Sequence, residues 1–287
     1  MRTLYVIGNG FDLAHGLPTK YEDFHKWLQK NGYQQFIDMF EQLYNNVLDT
    51  KGKWCDIERA LGEYDLNEVY EWDMNYQYCN TDLTSYQLCK NVKTVVVSLQ
   101  NLLIEWAQSI QLANVKKIQN IYKIEKENSV FLSFNYTKTL ERVYGIGESS
   151  ILHIHGDVDN PNNIIIGYKG KHYQSRDDVP FTSMNEKEKA KLIIHNELRR
   201  YIKDTTYQIE KNHLFFDSLT DVKYVNVIGH SCADVDKPYF DRITDSIKED
   251  ALWSLYYHDI NEKNYFEDFI EVLLKDKENM KKRLIQQ

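Results

Sequence analysis

A short apolar run that ends in glycine constrains the fold of this chain more than any other feature. Leu4-Tyr5-Val6-Ile7 is followed directly by Gly8-Asn9-Gly10. This run predicts a buried strand over 3–8 that ends in a tight turn. A G-x-G turn lets a phosphate approach the backbone without hindrance from a Cβ atom. Because position 13 is Leu, the full G-x-G-x-x-G pattern is incomplete, and a nucleotide site and a plain turn both remain open.

Strands and helices alternate along the rest of the sequence. Apolar runs predict further strands at 129–134, 151–154, 163–166, 222–228 and 252–257. Helices are predicted at 19–30 (opened by Thr19 as a capping residue), 33–48, 55–70, 138–143, 186–216, 238–248 and 262–274, with one or two long helices at 82–126 and a solvated helical tail at 275–283. Apolar strands that alternate with helices predict an α/β fold, with a Rossmann-like parallel sheet covered on both faces.

The helical segment between the first two recognisable strands is too long for a single crossover. We therefore expect a Rossmann-like nucleotide-binding core from 1–18 and 129–287, with 19–128 as a helical insertion or cap. Its apolar residues, such as Leu28, Phe36 and Phe40, suit a subunit interface, a lid or a plain core equally well.

Composition restricts the function classes. A formal net charge of −8 argues against direct binding of nucleic acid, which needs a basic footprint. No apolar stretch is long enough for a signal peptide or a membrane span. Cys55, Cys79, Cys89 and Cys232 form no C-x-x-C pair and no zinc-like cluster with histidine. We expect a cytoplasmic bacterial protein with free thiols and no bound metal.

Four sequence blocks carry a resemblance to the AbiH family of bacterial phage abortive-infection proteins. They are I-G-N-G-F-D-L-A-H-G-L-P-T (7–19), S-F-N-Y-T-K-T-L-E (133–141), H-I-H-G (153–156) and I-G-H-S-C-A-D-V-D-K (228–237). The resemblance extends from Leu4 to about Tyr257. It implies defence against phage through death or arrest of the infected cell.

The same blocks are more distantly similar to sirtuins. Gly8, Gly10, Gly16 and Pro18 match the opening sirtuin block, Asn135 precedes a His155-Gly156 pair, and 229–231 stand where sirtuins have G-T-S. This resemblance implies a sirtuin-like fold and NAD as substrate or ligand. No Cys lies between 156 and 229, so the sirtuin zinc module is absent and protein deacylation is disfavoured. NAD cleavage by water and NAD binding without turnover both remain open.

The resemblance also assigns candidate roles. His155 is the candidate base, Asn135 would orient water or the ribose, and Asp12 or Asp236 would supply negative charge to a developing cation. Gly8, Asn9 and Gly10 would cradle the pyrophosphate. The other candidate nucleotide-binding residues are Gly156, Gly229, His230, Ser231 and Asp236, with Gly229 and Ser231 meeting the adenosine ribose.

Each candidate also has a structural interpretation. His155 suits a satisfied strand-end histidine, and His153 suits the same strand face, where an H-x-H pair for a metal is the minority interpretation. Asn135 and Asp12 are also typical helix caps. Asp236 lies where a helix begins, so it equally suits the helix macrodipole.

Two functions follow from these observations. The first is an anti-phage effector that hydrolyses the nicotinamide–ribose bond of NAD. The alternative is a non-catalytic nucleotide-sensing or assembly subunit of a defence system. Both imply a small-molecule nucleotide as partner, together with a homo-oligomer or another defence protein. A nuclease effector is disfavoured, because no metal–carboxylate motif is present in the sequence.

Overall fold

The computed structural model describes residues 2–44, 54, 57–76, 89–118, 122–170 and 180–287. The strands of the described residues are β1 (Arg2–Ile7), β2 (Ser129–Ser133), β3 (Ile151–His153), β4 (Val222–Ile228), β5 (Leu252–Tyr257) and β6 (Lys281–Gln286). Their α-helices are α1 (Asn9–Ala14), α2 (Tyr21–Lys30), α3 (Gln34–Leu43), α4 (Ile57–Gly62), α5 (Leu66–Tyr76), α6 (Lys90–Ser109), α7 (Glu186–Leu198), α8 (Thr205–Lys211), α9 (His213–Asp217), α10 (Lys237–Ser246) and α11 (Ile260–Leu273). One turn of π-helix lies at Leu140–Tyr144.

The six strands form one parallel sheet in the order β3-β2-β1-β4-β5-β6. Successive residues of β1 point to opposite faces of it. Leu4 and Val6 enter a core that includes α10 and α11, whereas Tyr5 and Ile7 pack with Phe11 on the other face. The predicted α/β fold, with a Rossmann-like parallel sheet buried on both faces, is confirmed.

Two predicted elements and one predicted helix cap are wrong. Residues 163–166 form no strand, because Ile164 and Ile166 are buried within irregular backbone. The tail is not a helix: β6 pairs with β5 at the sheet edge, where charged side chains are tolerated, and Arg283 Nε donates to Ser254 Oγ (2.7 Å). Thr19 does not cap α2, which begins at Tyr21 after Lys20.

The longest predicted helices are shorter in the structure. Of the one or two helices predicted at 82–126, the structure contains α6, and the parts at 82–88 and 119–121 lie outside the described residues. Asp73 fixes the beginning of α6, because its Oδ1 accepts the N–H groups of Asn91 and Val92 (3.2 and 3.3 Å). The predicted helix at 186–216 is divided among α7, α8 and α9, and Asp204 caps α8.

The chain divides into two compact units. The first consists of Met1–Thr19, Ala107–Ile164 and Asp204–Gln287 and contains the whole sheet. The second consists of Lys20–Trp106 and Ile165–Lys203. These boundaries differ from the single insertion expected at 19–128, because α7 packs against α5 within the second unit.

The second unit has an aromatic core and a partly buried ion pair. Phe24 and Phe40 pack against Trp54 at ring-centroid distances of 6.0 and 4.9 Å. Elsewhere in this unit, Nζ of Lys203 lies 3.0 Å from the Glu58 carboxylate. Phe40 is thus a core residue of this unit, as are Leu28 and Phe36.

In the first unit, the turns that follow β1 and β4 interlock through glycine. The Gly8 N–H donates to the Ile228 carbonyl (3.0 Å), and the Gly10 N–H donates to the Gly229 carbonyl (2.7 Å). Gly229 has a φ of 63°, and a Cβ atom on it would lie 2.1 Å from the Phe11 nitrogen. These glycines therefore allow two backbones to touch.

This contact predicts a large effect of Gly229→Ala. Gly16 is the matched control, because its φ is also positive (73°) but a Cβ there would meet nothing within 4 Å. We expect Gly16→Ala to lower the free energy of unfolding by about 1 kcal/mol through backbone strain alone. We expect Gly229→Ala to cost about 3 kcal/mol or more, because a backbone clash adds to the strain. Urea denaturation measures both, and equal losses would contradict the interlocked turns.

Candidate functional site

The strand order places the candidate site at the carboxyl ends of the strands. β1 and β4 are neighbours, and from them the sheet extends in opposite directions, toward β3 and toward β6. In open parallel sheets, ligands bind outside the carboxyl ends of the strands at such a switch point, and this order is that of dinucleotide-binding folds. The candidate site is therefore formed by the loops that follow β1, β2, β3 and β4.

Two imidazoles share one carboxylate in the loops after β3 and β4. His155 Nε2 lies 3.7 Å from Asp236 Oδ1, and His230 Nε2 lies 3.6 Å from Asp236 Oδ2. All three side chains are buried. These distances exceed a hydrogen bond but lie within ion-pair reach, so protonation of His155 adds a charge attraction to Asp236. An imidazole beside a carboxylate is an arrangement that suits general acid–base chemistry.

The backbone after β4 fixes the tautomer of His230. The Cys232 N–H donates to His230 Nδ1 (2.9 Å), so the neutral ring carries its proton on Nε2, toward Asp236. Cys232 adopts a φ of 53°, which is uncommon for a residue other than glycine. The Tyr265 hydroxyl donates to the Cys232 carbonyl (2.8 Å) and holds this turn. Burial raises the pKa of the Cys232 thiol, so the thiol is a poor nucleophile.

Aromatic rings enclose the two imidazoles. The Phe134 ring lies 5.1 Å from that of His155 and 4.1 Å from that of His230, both edge to face. The Tyr239 ring lies 5.9 Å from that of His155. Burial, together with the charge of Asp236, raises the pKa of Tyr239, so its hydroxyl stays neutral. The apolar surroundings strengthen the attraction between Asp236 and a protonated imidazole.

Asp12 is bonded within the protein. Its carboxylate oxygens accept the hydroxyls of Thr137 (2.5 Å) and Thr139 (2.7 Å), which joins α1 to the loop after β2. Burial raises the pKa of Asp12 above its usual value, because it outweighs the two hydroxyl hydrogen bonds, which act in the opposite direction. Asp12 does not cap a helix, because the residue that precedes α1 is Gly8.

Asn135 is bonded in the same way. Its side-chain Nδ2 donates to the Gly8 carbonyl (3.1 Å), and its backbone carbonyl accepts a hydrogen bond from His153 Nδ1 (2.9 Å). Asn135 therefore fastens the loop after β2 to the turn after β1 and to the end of β3, and it caps no helix.

Sequence reasoning missed a buried charge network beside these loops. Lys138 Nζ lies 3.2 Å from Glu141 and 3.4 Å from Asp157, and His153 Nε2 lies 2.9 Å from Glu141. Since His153 Nδ1 must donate to a carbonyl, its Nε2 meets Glu141 either as the proton donor of an imidazolium or as the acceptor of a protonated carboxyl. The lowered pKa of Glu141 favours its carboxylate form.

The pKa shifts follow from this pairing. Burial alone would raise the pKa of Glu141, but His153 and Lys138 outweigh it and the pKa is lowered. Burial would lower the pKa of Lys138, but Glu141 and Asp157 outweigh it and the pKa is raised. The i, i+3 spacing of Lys138 and Glu141 is the sequence signal for their pairing.

The structure thus separates the two histidines of the H-x-H block. His153 contacts Glu141, whereas His155 faces Asp236. His15 lies in neither cluster: its Nδ1 contacts the Phe11 carbonyl (2.7 Å) and its Nε2 contacts the Tyr144 hydroxyl (2.8 Å).

The other predicted binding residues lie in the same loops. Asn9 and Ser231 are exposed members of the two interlocked turns. Gly156 has a φ of 78°, and a Cβ atom there would lie 2.3 Å from the Asn163 carbonyl oxygen. Of the predicted site residues, the structure brings together His155, His230 and Asp236, while Asn135 and Asp12 brace the loops beside them.

The fold and the site define a Rossmann-like α/β protein with a buried histidine–carboxylate cluster at the carboxyl ends of its strands. The chain belongs to the AbiH family, because the family model described as bacteriophage abortive infection AbiH matches residues 4–257. This membership indicates a role in abortive infection by phage. No curated protein and no solved structure matches the chain.

None of the helices in the described part of the chain is both long and apolar enough to cross a membrane. Nor does this part of the chain group three His, Cys, Asp or Glu side chains that suit a metal ion.

The charge network predicts a pH-dependent contribution of Glu141 to stability. Its folded pKa lies below the unfolded value of about 4.3, so the stabilisation is present above that pH and is lost as the pH falls through the folded pKa. We expect Glu141→Gln to lower the free energy of unfolding by about 3 kcal/mol near pH 7, because Lys138 and His153 lose their carboxylate partner. The deficit should shrink below about pH 4.

Denaturant unfolding at several pH values measures this difference. Glu278→Gln is the control, because Glu278 is an exposed glutamate of the same unit. A Glu141→Gln deficit that stays constant with pH would contradict the charge network.

Proposed function

We propose that this protein binds NAD or a related nucleotide at the carboxyl ends of its strands and hydrolyses the nicotinamide–ribose bond during abortive infection. The observation that carries the proposal is the pairing of His155 with Asp236, 3.7 Å apart, from loops on opposite sides of the switch point. The more distant likeness of the loop sequences to sirtuins supports NAD as the nucleotide.

The chemistry needs a base and a nearby negative charge. Water attacks C1′ of the ribose as the bond to the pyridinium nitrogen breaks, and that nitrogen takes the bonding electrons as neutral nicotinamide leaves. The water proton passes to His155 Nε2, and the products are ADP-ribose and nicotinamide. Asp236 then stabilises the imidazolium, and its charge also favours the oxocarbenium-like transition state.

The glycine turns limit how the nucleotide is held. The N–H groups of Gly8 and Gly10 already donate to Ile228 and Gly229, so these glycines serve by letting the loops approach each other. We infer that the exposed Asn9 and Ser231 supply polar contacts to the pyrophosphate and the ribose.

Asp12 and Asn135 have a supporting role in this proposal. Both side chains are buried and bonded to the protein, Asp12 to two threonine hydroxyls and Asn135 to the Gly8 carbonyl. We infer that they position the loop after β2. Of the two carboxylates considered for the developing cation, Asp236 is the one that faces the candidate base.

A non-catalytic nucleotide sensor is the alternative function. Because Asp12 and Asn135 are both bonded internally, the catalytic proposal depends on His155 and Asp236. A sensor would bind nucleotide saturably, release no nicotinamide and keep its protection against phage when His155 is replaced.

The hydrolase proposal predicts that His155→Ala abolishes NAD loss. Removing a general base lowers a rate by about a hundredfold to ten-thousandfold. Mass spectrometry of NAD and nicotinamide in phage-infected cells measures the loss with the trigger present. His213→Ala is the control, because His213 is an exposed histidine on α9. An intact NAD pool while infected wild-type cells die would refute hydrolysis.

Asp236→Asn separates chemistry from binding. The substitution keeps the side-chain shape but removes the charge that faces both imidazoles. We expect kcat for NAD hydrolysis to fall by about a hundredfold while KM changes only a few-fold. Steady-state kinetics on the activated protein measures both, and an unchanged kcat would exclude Asp236 from the reaction.

A further inference from the structure

A second concave site lies at the opposite end of the sheet, where the strands begin. A cavity of about 600 Å³ opens where β1, β2 and β4 begin, and its lining includes Arg2, Ser129 and Lys223. This volume is within the range of about 300–1,000 Å³ that is typical of small-molecule sites. The strands are parallel, so this cavity and the candidate site lie at opposite ends of the same three strands.

The lining is strongly basic although the chain is acidic. Arg2, Lys126, Lys223 and Lys248 contribute four cations, against one lining carboxylate, Asp221. The whole chain carries a formal charge of −8. A local excess of positive charge in such a chain favours an anionic ligand at this position.

Two of the four cations are already paired. Arg2 Nη1 lies 3.2 Å from Asp221 Oδ1, and Lys223 Nζ lies 2.8 Å from Asp250 Oδ2. Within the described residues Lys126 and Lys248 form no ion pair, and Lys126 donates to the Gly145 carbonyl (3.3 Å). The cavity therefore holds two ammonium groups that form no direct ion pair with a described carboxylate, although Lys248 lies within electrostatic reach of Asp250.

The remaining lining is polar. Ser129, Ser149, Ser150 and Asn128 supply hydroxyl and amide groups, and Val130 is the one apolar side chain among the described residues that line the cavity. Hydroxyl and amide donors suit the oxygens of a phosphate group, and lysine is a common phosphate-binding residue. An apolar ligand would find little surface to bury here.

We propose that this cavity binds a small molecule that carries two or more phosphate groups. Two ammonium groups that line the same cavity match a ligand with more than one negative charge, and the hydroxyls match its oxygens. A nucleic acid would place a long run of phosphates along an acidic chain, which its net charge opposes. The proposal is independent of NAD hydrolysis, because its residues are separate from His155 and Asp236.

Isothermal titration calorimetry of the full chain with inorganic pyrophosphate, at constant ionic strength, tests the site. We expect saturable binding to wild type and binding about tenfold weaker to the double variant Lys126→Gln/Lys248→Gln. Both lysines are exposed, so the variant keeps the core intact. The matched control is Lys211→Gln/Lys275→Gln, which removes the same charge from exposed lysines outside the cavity.

The control variant should bind pyrophosphate like wild type. Equal weakening in both double variants would show a general charge effect and overturn the site. Wild-type binding that survives in Lys126→Gln/Lys248→Gln, or no saturable binding by wild type, would overturn it as well. None of these outcomes depends on whether NAD is hydrolysed.

Discussion

The contact between the turns after β1 and β4 is the constraint on which the rest of the site depends. Gly10 donates to the Gly229 carbonyl over 2.7 Å, and there is no room between them for a Cβ atom. α1 begins directly after the turn that follows β1, and this position brings Asp12 next to its two threonine partners. His230 follows Gly229 directly, so its ring lies next to Asp236. The glycines that resemble a phosphate-binding pattern are therefore needed first for packing.

Two buried polar clusters lie in neighbouring loops, and their bonding differs. In the first, His153 contacts Glu141 at hydrogen-bond distance and Lys138 contacts two carboxylates, and these contacts hold the loops together. In the second, His155 and His230 face Asp236 at 3.7 and 3.6 Å, beyond a direct hydrogen bond. Protonation of His155 adds a charge attraction to Asp236, which suits proton transfer, whereas the directly paired charges of the first cluster suit a structural role.

Much of the fold was predictable because strand interiors are apolar runs that do not depend on distant partners. The pairing of His155 with Asp236 was foreseeable only in outline, since strand ends were recognisable but side-chain directions were not. The partners of His153 and Asp12 depend on a loop path that no local pattern encodes. β6 was missed because its charged residues lie at a sheet edge, where pairing with β5 rather than apolar burial decides the conformation.

Strand register explains why distant sequence blocks meet at one level of the sheet. Ile7 pairs with both Ser133 and Ile228, and Ser133 pairs with His153, so β1 to β4 end side by side. Side chains alternate between faces, so a shift of one residue in any strand would turn the following loop residues the opposite way. The apolar pairing inside the sheet, which carries no chemistry itself, therefore determines which histidine meets Glu141 and which meets Asp236.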